Sequence, residues 1–174
     1  MATVLLIGAS RGIGLEMARQ YRQDGWRVIG TARDDAGLVR LRALECEALR
    51  VDVADPASNS GLAWQLDGEK LDVAIYVAGV IDRADTTTPP TRETFDQLMH
   101  TNVMGAAMAL PQIAPMLQEA GGVFAVISSV MGSLAQTQSG GSALYRISKA
   151  ALNMWMRCAQ FDHPKLCCVA FHPG

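Results

Sequence analysis

The sequence predicts an α/β fold in which a doubly wound parallel sheet carries helices on both faces, within one domain that spans residues 1–174. Short apolar runs alternate with longer amphipathic runs along the whole chain, and this alternation is typical of parallel strands joined by crossover helices. The first apolar run leads directly into a glycine-rich turn, which in this architecture binds phosphate groups. With 49% hydrophobic residues, the chain can bury a sizeable core.

The six apolar runs are the predicted strands, and each is far shorter than the roughly 20 residues of a membrane-spanning helix. They are Thr3–Ile7, Trp26–Thr31, Cys46–Val51, Leu71–Val77, Gly122–Ser128 and Leu166–Phe171. The helical patterns between them are Gly12–Gln23, Ala36–Leu44, Ser58–Leu66, Thr91–Gln118 and Ser142–Phe161. Right-handed crossovers place ligands at the carboxyl ends of the strands. Asp82–Thr91 and Ser133–Ser142 are predicted surface loops, and the second is expected to border substrate.

Composition argues against several classes of partner. A net charge of −2 gives no broad cationic field for nucleic acid or anionic lipid, and we expect a soluble, cytoplasmic protein with neither nucleic-acid nor membrane partners. The cysteines show no paired C-x-x-C spacing and are expected to be reduced packing residues, while the histidines lack metal-ligand spacing, so no metal site is predicted. These residues are Cys46, Cys158, Cys167, Cys168, His100, His163 and His172.

The glycine-rich turn Gly8-Ala9-Ser10-Arg11-Gly12-Ile13-Gly14 follows the first strand and opens the first helix. Gly8 permits a tight turn, Gly12 lets backbone approach a pyrophosphate, and Gly14 lets the helix pack closely on the sheet. The helix start offers free N–H groups and its positive dipole end to phosphates. The spacing is G-x-x-x-G-x-G and not G-x-G-x-x-G, so a turn kept only for packing is the alternative.

Residues after the second and third strands indicate which dinucleotide is bound. Arg33 stands where an NAD-selective site would offer a carboxylate, and Arg11 can add a second guanidinium, so NADP(H) is favoured through its 2′-phosphate. NAD(H) is the alternative, because Asp34 and Asp35 lie near the distance expected for a ribose-binding acid. After the third strand, Asp52 could accept from the adenine amino group and Val53 could pack on the ring. For each of these charged residues a solvated surface role is the competing interpretation.

Landmarks spread over essentially the whole chain resemble those of the short-chain dehydrogenase/reductase family, whose fold is Rossmann-like. In order they are Gly8-x3-Gly12-x-Gly14, Asp52-Val53, Ala78-Gly79, Asn102, Ser128-Ser129, Tyr145-x3-Lys149 and Pro173-Gly174. The segments around Ser128-Ser129 and Tyr145–Asn153 are similar to the branch that contains C-factor and sniffer-type carbonyl reductases. The resemblance therefore implies hydride transfer between NADP(H) and a small-molecule carbonyl or alcohol substrate.

The resemblance also implies roles for four candidate catalytic residues. Tyr145 would be the general acid or base, and Lys149, one helical turn away on the same face, would favour the ionised phenol and bind nicotinamide ribose hydroxyls. Ser129 would hold the substrate oxygen, with Ser128 and Ser133 as substitutes. Asn102 would position a water beside Lys149, although a helix distortion alone could explain an asparagine within a helix.

The same resemblance places Ala78, Gly79, Pro173 and Gly174, together with Tyr145 and Lys149, against the cofactor. Two departures from the family stand out. Tyr76-Val77 replaces an Asn-Asn pair, which removes side-chain hydrogen bonds at the sheet edge and is expected to alter local stability more than chemistry. Family members usually continue well past Pro-Gly, so we expect this sequence to be a truncated form, part of a longer chain, or completed by a partner.

A cofactor-binding signalling or interaction module without turnover is the rival function, because the segment that would cover substrate is missing. A homo-oligomer is expected through helices around Thr101–Gln118 and Ser142–Phe161, with intramolecular core as the competing interpretation. The apolar residues that suit such an interface are Met104, Met108, Leu152, Trp155 and Met156.

Overall fold

A computed structural model describes residues 1–174, apart from the side chains of residues 118–120, and shows a six-stranded parallel sheet. The strands are β1 (Thr3–Ile7), β2 (Arg27–Ala32), β3 (Glu47–Arg50), β4 (Val73–Tyr76), β5 (Val123–Ile127) and β6 (Cys167–Phe171). Their spatial order is β3-β2-β1-β4-β5-β6, so the direction of winding reverses between β1 and β4. All six predicted strands and the doubly wound topology are confirmed.

Seven α-helices connect or follow the strands. They are α1 (Gly12–Gln23), α2 (Asp35–Ala43), α3 (Pro56–Ser60), α4 (Leu62–Gln65), α5 (Arg92–Met99), α6 (Gly105–Ala120) and α7 (Ala143–Asp162). A π-helical turn, His100–Met104, joins α5 to α6, and a 3-10 turn, Val130–Gly132, follows β5. No helix in the described part of the chain is both long and apolar enough to cross a membrane.

Alternate residues of β1 enter two separate cores, one on each face of the sheet. Leu5 and Ile7 pack with α6 and α7, whereas Val4 and Leu6 pack with α1 and α2. Successive side chains of a strand point to opposite faces, so a strand buried on both faces must be continuously apolar. Every residue of β1 is buried, which is why this run was recognisable in the sequence.

Two predicted helices are divided in the structure. Ser58–Leu66 was predicted as one helix, but α3 begins earlier, at Pro56 after the capping Asp55, and Gly61 separates it from α4. Thr91–Gln118 was predicted as one helix, but α5 and α6 are separated by the π-helical turn. Asn102 lies in that turn, so the helix distortion considered from the sequence is present.

The structure also corrects several predictions about which side chains are buried. All four cysteines are free thiols, but Cys158 and Cys167 are exposed, so the expectation that they pack in the core is wrong. Leu152 and Met156 are buried in the core between α7 and the sheet and cannot form an outer interface. The exposed apolar side chains of α7 are Ile147, Met154 and Phe161. The loop between β4 and α5 is largely exposed, as expected for Asp82–Thr91.

Candidate active site

A cleft of about 660 Å³ opens at the carboxyl edge of the sheet, where the winding direction reverses between β1 and β4. Eleven of the residues predicted to bind cofactor line it: Gly8, Ser10, Arg11, Gly12, Ile13, Gly14, Arg33, Asp52, Val53, Ala78 and Gly79. The switch point of a doubly wound sheet is the expected position of a ligand in this architecture. The cleft therefore unites segments that lie far apart in the sequence.

The glycine-rich turn is fixed by close packing between β1 and β4. Gly8 has a φ of +92°, and a β-carbon there would lie 2.6 Å from the β-carbon of Ala78. Its N–H donates to the buried Thr31 hydroxyl of β2 at 2.9 Å. A β-carbon at Gly14 would lie 2.5 Å from the Gly8 carbonyl oxygen, so α1 can pack against the turn only without one. Gly12, in contrast, borders open space.

The N-terminus of α1 has no side-chain partner of its own. Arg11 stands at the N-cap position without a capping hydrogen bond, and the first turn of this fully described helix contains no acidic residue. The first N–H groups of a helix lack intrahelical acceptors and carry the positive end of its dipole. This end of α1 is consequently suited to an anionic group such as a phosphate.

Three arginines line the cleft. Arg11 and Arg33 were predicted from the sequence, but Arg40 of α2 was missed. The Arg40 Nε donates to the Ser10 carbonyl at 2.7 Å and ties α2 to the glycine-rich turn. No local sequence motif predicts that Arg40 lines the cleft, because its position depends on how α2 packs against β2. Its exposed side chain adds positive charge beside Arg33.

The two carboxylates that supported the NAD alternative have other partners. Asp34 caps α2, because its Oδ1 accepts from the Gly37 N–H at 2.7 Å. Asp35 forms a salt bridge with Arg50, which also donates to the Arg33 carbonyl at 3.1 Å. Asp52 stabilises the backbone after β3, since its Oδ1 accepts from the Ala54 N–H at 3.0 Å.

Tyr145 and Lys149 project from the N-terminal part of α7, near the end of β5. The Lys149 Nζ lies 5.6 Å from the centre of the Tyr145 ring and donates to the Ile127 carbonyl at 2.7 Å. Only 3% of Lys149 is exposed. Burial disfavours the charged ammonium and lowers the pKa of Lys149 from 10.5 to about 8.

Asn102 joins three segments through its fully buried side chain. Its Oδ1 accepts from the Val80 N–H at 2.8 Å, and its Nδ2 donates to the Val80 carbonyl at 2.8 Å and to the Ser148 hydroxyl at 2.9 Å. Ser148, missed as a contributor, in turn donates to the Tyr145 carbonyl at 2.8 Å. The amide thus connects the segment after β4 to the helix that carries Tyr145. Water positioning by Asn102 stays a prediction.

The serine pair after β5 divides between two environments. Ser128 is buried and its hydroxyl donates to the Asn153 Oδ1 at 2.6 Å. Ser129 is half-buried, and its Oγ accepts from the Met131 N–H at 3.1 Å, which leaves its hydroxyl proton available to a ligand. Ser133 Oγ accepts from the Gln136 N–H at 3.3 Å. This arrangement favours Ser129 over Ser128 for contact with a substrate.

Gly79 lines the cleft and also lies next to the buried side chains of Asn102 and Lys149. A β-carbon at this position would lie 3.5 Å from the Asn102 Oδ1 and 3.6 Å from the Lys149 Nζ. Pro173 and Gly174 follow β6, are exposed and lie outside the residues that line the cleft, so their contact with cofactor stays a prediction. Among residues 1–117 and 121–174, no cluster of three or more potential metal ligands occurs.

The family model for short chain dehydrogenases matches residues 2–174. The chain belongs to this family. A relative, "1-hydroxy-2-glutathionyl-2-methyl-3-butene dehydrogenase" of Rhodococcus sp., is 34% identical over 178 aligned positions, which cover 100% of this chain and 77% of that protein. The resemblance stated from the sequence is therefore confirmed.

Solved short-chain dehydrogenase structures show the same fold. A carbonyl reductase from Pseudomonas aeruginosa in complex with NADP is 31% identical, with a TM-score of 0.89 and coverage of 100% of this chain and 83% of that chain. A Caenorhabditis elegans structure named for the carbonyl reductase Sniffer is 27% identical, with a TM-score of 0.90 and coverage of 99% and 85%. The chain therefore has the Rossmann-like fold of short-chain dehydrogenase oxidoreductases, and the Pseudomonas aeruginosa structure contains NADP.

Proposed function

We propose that this protein is an NADP(H)-dependent carbonyl reductase or alcohol dehydrogenase. The observation that carries the proposal is that Asn102 and Lys149 approach Gly79 of a cleft that Arg33 and the start of the uncapped α1 also line. Tyr145 lies beside Lys149, whose Nζ is 5.6 Å from the centre of its ring. Oxidoreductase chemistry follows from family membership, whereas the substrate and the residue roles are the proposal.

The cleft suits a dinucleotide phosphate. The open space at Gly12 and the unpartnered N-terminus of α1 can receive a pyrophosphate, and the guanidinium groups of Arg11, Arg33 and Arg40 can bind a 2′-phosphate. When bound, the nicotinamide supplies or accepts the hydride. Because Asp34 and Asp35 are engaged in a helix cap and a salt bridge, NADP(H) is proposed over NAD(H).

In the direction of reduction, the substrate carbon gains a hydride and its oxygen gains a proton. Tyr145 donates that proton from its phenol, and in oxidation it accepts the proton from the alcohol. Ser129 donates a hydrogen bond to the same oxygen and holds it near Tyr145. Lys149 stands behind the phenol ring, where its ammonium stabilises negative charge on Tyr145 and can also bind ribose hydroxyls.

A paired fluorescence titration with NADPH and NADH tests the cofactor assignment. Arg33→Ala should weaken NADPH binding by about 10- to 100-fold and leave NADH binding nearly unchanged, because a guanidinium–phosphate contact is worth roughly 1.5–3 kcal/mol. Arg42→Ala, on the same helix as Arg40 but outside the residues lining the cleft, is the matched control. Equal loss of NADH and NADPH binding in Arg33→Ala would contradict the 2′-phosphate assignment.

A carbonyl screen that follows NADPH absorbance tests turnover against the rival function, a cofactor-binding module without chemistry. Oxidation of NADPH that requires both a carbonyl compound and Tyr145 supports the enzyme. Tight NADPH binding with no turnover across small and medium aldehydes and ketones supports the binding module. A homo-oligomer and a cytoplasmic location stay predictions. If a second copy binds α7, the large exposed apolar residues available to it are Ile147, Met154 and Phe161.

A further inference from the structure

Tyr76 is the last residue of β4. Only 1% of the residue is exposed, and its hydroxyl donates to the Thr101 carbonyl oxygen at 2.6 Å. Burial raises the pKa of the Tyr76 phenol strongly, so its proton stays in place as a donor. The side chain of Tyr76 thus reaches from β4 to the region between α5 and α6.

The acceptor of this bond lies inside the π-helical turn His100–Met104. At the end of the turn the Gly105 N–H donates to the His100 carbonyl, an i to i+5 pairing that is wider than the α-helical pattern. Gly105 also makes room for the tyrosine, because a β-carbon there would overlap the Tyr76 hydroxyl. The Gly105 carbonyl accepts from the buried Asn59 Nδ2 at 3.1 Å. Two buried side chains therefore hold carbonyl groups at this irregular part of the helix.

The carbonyl of Thr101 and the N–H of Asn102 belong to one planar peptide group. A hydrogen bond that fixes the carbonyl therefore also restricts the direction in which Asn102 leaves the backbone. Asn102 then bonds to both backbone groups of Val80 and to Ser148. Tyr76 is thereby connected, through one peptide plane, to the cleft edge at Gly79–Val80 and to the helix of Tyr145.

We propose that Tyr76 is a positioning residue that holds the π-helical turn so that Asn102 fixes the Gly79–Val80 edge of the cleft beside Lys149. Its link to turnover rests on the proposed function, whereas its hold on Val80 does not. A tyrosine that only fills the core would stabilise the sheet as a whole without acting selectively on Val80. Removal of the Tyr76 hydroxyl alone distinguishes positioning of Asn102 from simple filling of the core.

Hydrogen exchange of the complete chain with Tyr76→Phe measures the positioning directly. The Val80 amide, which donates to Asn102, should exchange about 10-fold faster, because the substitution removes a buried hydrogen bond and leaves the Thr101 carbonyl unpaired. Amides of β1 should change less than 2-fold. Tyr21→Phe is the matched control, since Tyr21 packs on Trp26 and does not line the cleft. Uniform acceleration at Val80 and β1, or none at Val80, would overturn the proposal.

A double-mutant cycle gives the second readout. Tyr76→Phe should lower kcat about 10-fold with less than a 2-fold change in NADPH binding, and it should have no further effect on kcat in an Asn102→Ala background. Equal effects of Tyr76→Phe in both backgrounds would show that the hydroxyl does not act through Asn102 and would overturn the proposal. If wild-type protein turns over no carbonyl compound, the proposed function fails, yet exchange at Val80 still decides the role of Tyr76.

Discussion

The two halves of the sheet present different kinds of candidate binding groups at the same edge. On the side of β1–β3, the groups are backbone N–H donors of α1 and the exposed arginines Arg11, Arg33 and Arg40. On the side of β4–β6, they include the buried side chains of Asn102 and Lys149. The first half relies on groups that remain hydrated without ligand, whereas the second holds polar groups out of water before any ligand arrives.

This difference has an energetic consequence. Exposed guanidinium groups lower the stability of the ligand-free protein little, because water solvates them when no anion is bound. Buried polar groups must be satisfied by the protein, which explains why Asn102 uses its amide on Val80 and Ser148. We therefore expect substitutions in the first half to change ligand affinity and substitutions in the second half to change turnover or stability.

Tyr145→Phe should separate turnover from binding most completely. Loss of the proton donor is expected to lower kcat by about 10³-fold, within the range known for general acid–base groups. NADPH binding should change less than 2-fold, because the phenyl ring keeps its place on α7. Steady-state kinetics and a fluorescence titration on the same preparation measure both quantities. If kcat remains within 2-fold of wild type, Tyr145 is not the proton donor.

Lys149→Met should make the protein more stable. Burial lowers the pKa of Lys149 to about 8 in the folded protein. Below that pH the ammonium is therefore less favourable in the folded protein than in the unfolded chain. Lowering from 10.5 to about 8 corresponds to about 3 kcal/mol, so Lys149→Met should raise the free energy of unfolding by up to that amount below pH 8. Turnover should be lost in the same variant, as expected for a stability–activity trade-off.

The advantage of Lys149→Met should disappear as pH rises from about 8 to 10.5. In that range the unfolded wild-type chain binds more protons than the folded chain, so wild-type stability gains relative to the variant. Urea unfolding at pH 7, 8.5 and 10 measures the difference, with Lys165→Met at an exposed position as control. A difference that stays constant with pH would mean that the gain comes from packing and not from the buried charge.

The sequence predicted those features whose residues all lie within one short segment. From Val4 to Ile7 the strand β1 is continuously apolar because both its faces are buried, and the adjacent glycine-rich turn lies within seven residues, so both were predicted correctly. The polar contacts of Asn102 with Ser148 cross 46 residues, and the bond from Tyr76 to Thr101 crosses 25. No periodicity encodes such pairings, since they depend on how α5, α6 and α7 pack.

The same distinction explains the errors in helix prediction. The sequence predicts one helix over residues 91–118, whereas the structure contains the π-helical turn His100–Met104 within that range. Arg40 was missed for a related reason, since only the docking of α2 brings it to Ser10. The resemblance to a family supplied Asn102 as a site residue, but not the partners that hold it in place.

The adjacent acids Asp34 and Asp35 provide the smallest and most specific test of the first half. Asp34→Ala should destabilise the protein by about 1 kcal/mol, because it removes the N-cap of α2. Asp35→Ala should leave stability unchanged within error, since the carboxylate is 90% exposed and its pairing with Arg50 is screened by water. Thermal unfolding of both variants in the same buffer makes this comparison.

Titration of the same two variants with NADH and NADPH extends the test to cofactor selection. If both carboxylates are committed within the protein, neither substitution should weaken NADH binding by more than 2-fold. A loss of about 10-fold for NADH in either variant, roughly the 1.4 kcal/mol of one charge-assisted hydrogen bond, would identify that carboxylate as a ribose ligand. The cleft would then select NAD(H), and the arginines around it would serve the glycine-rich turn and α2 rather than a 2′-phosphate.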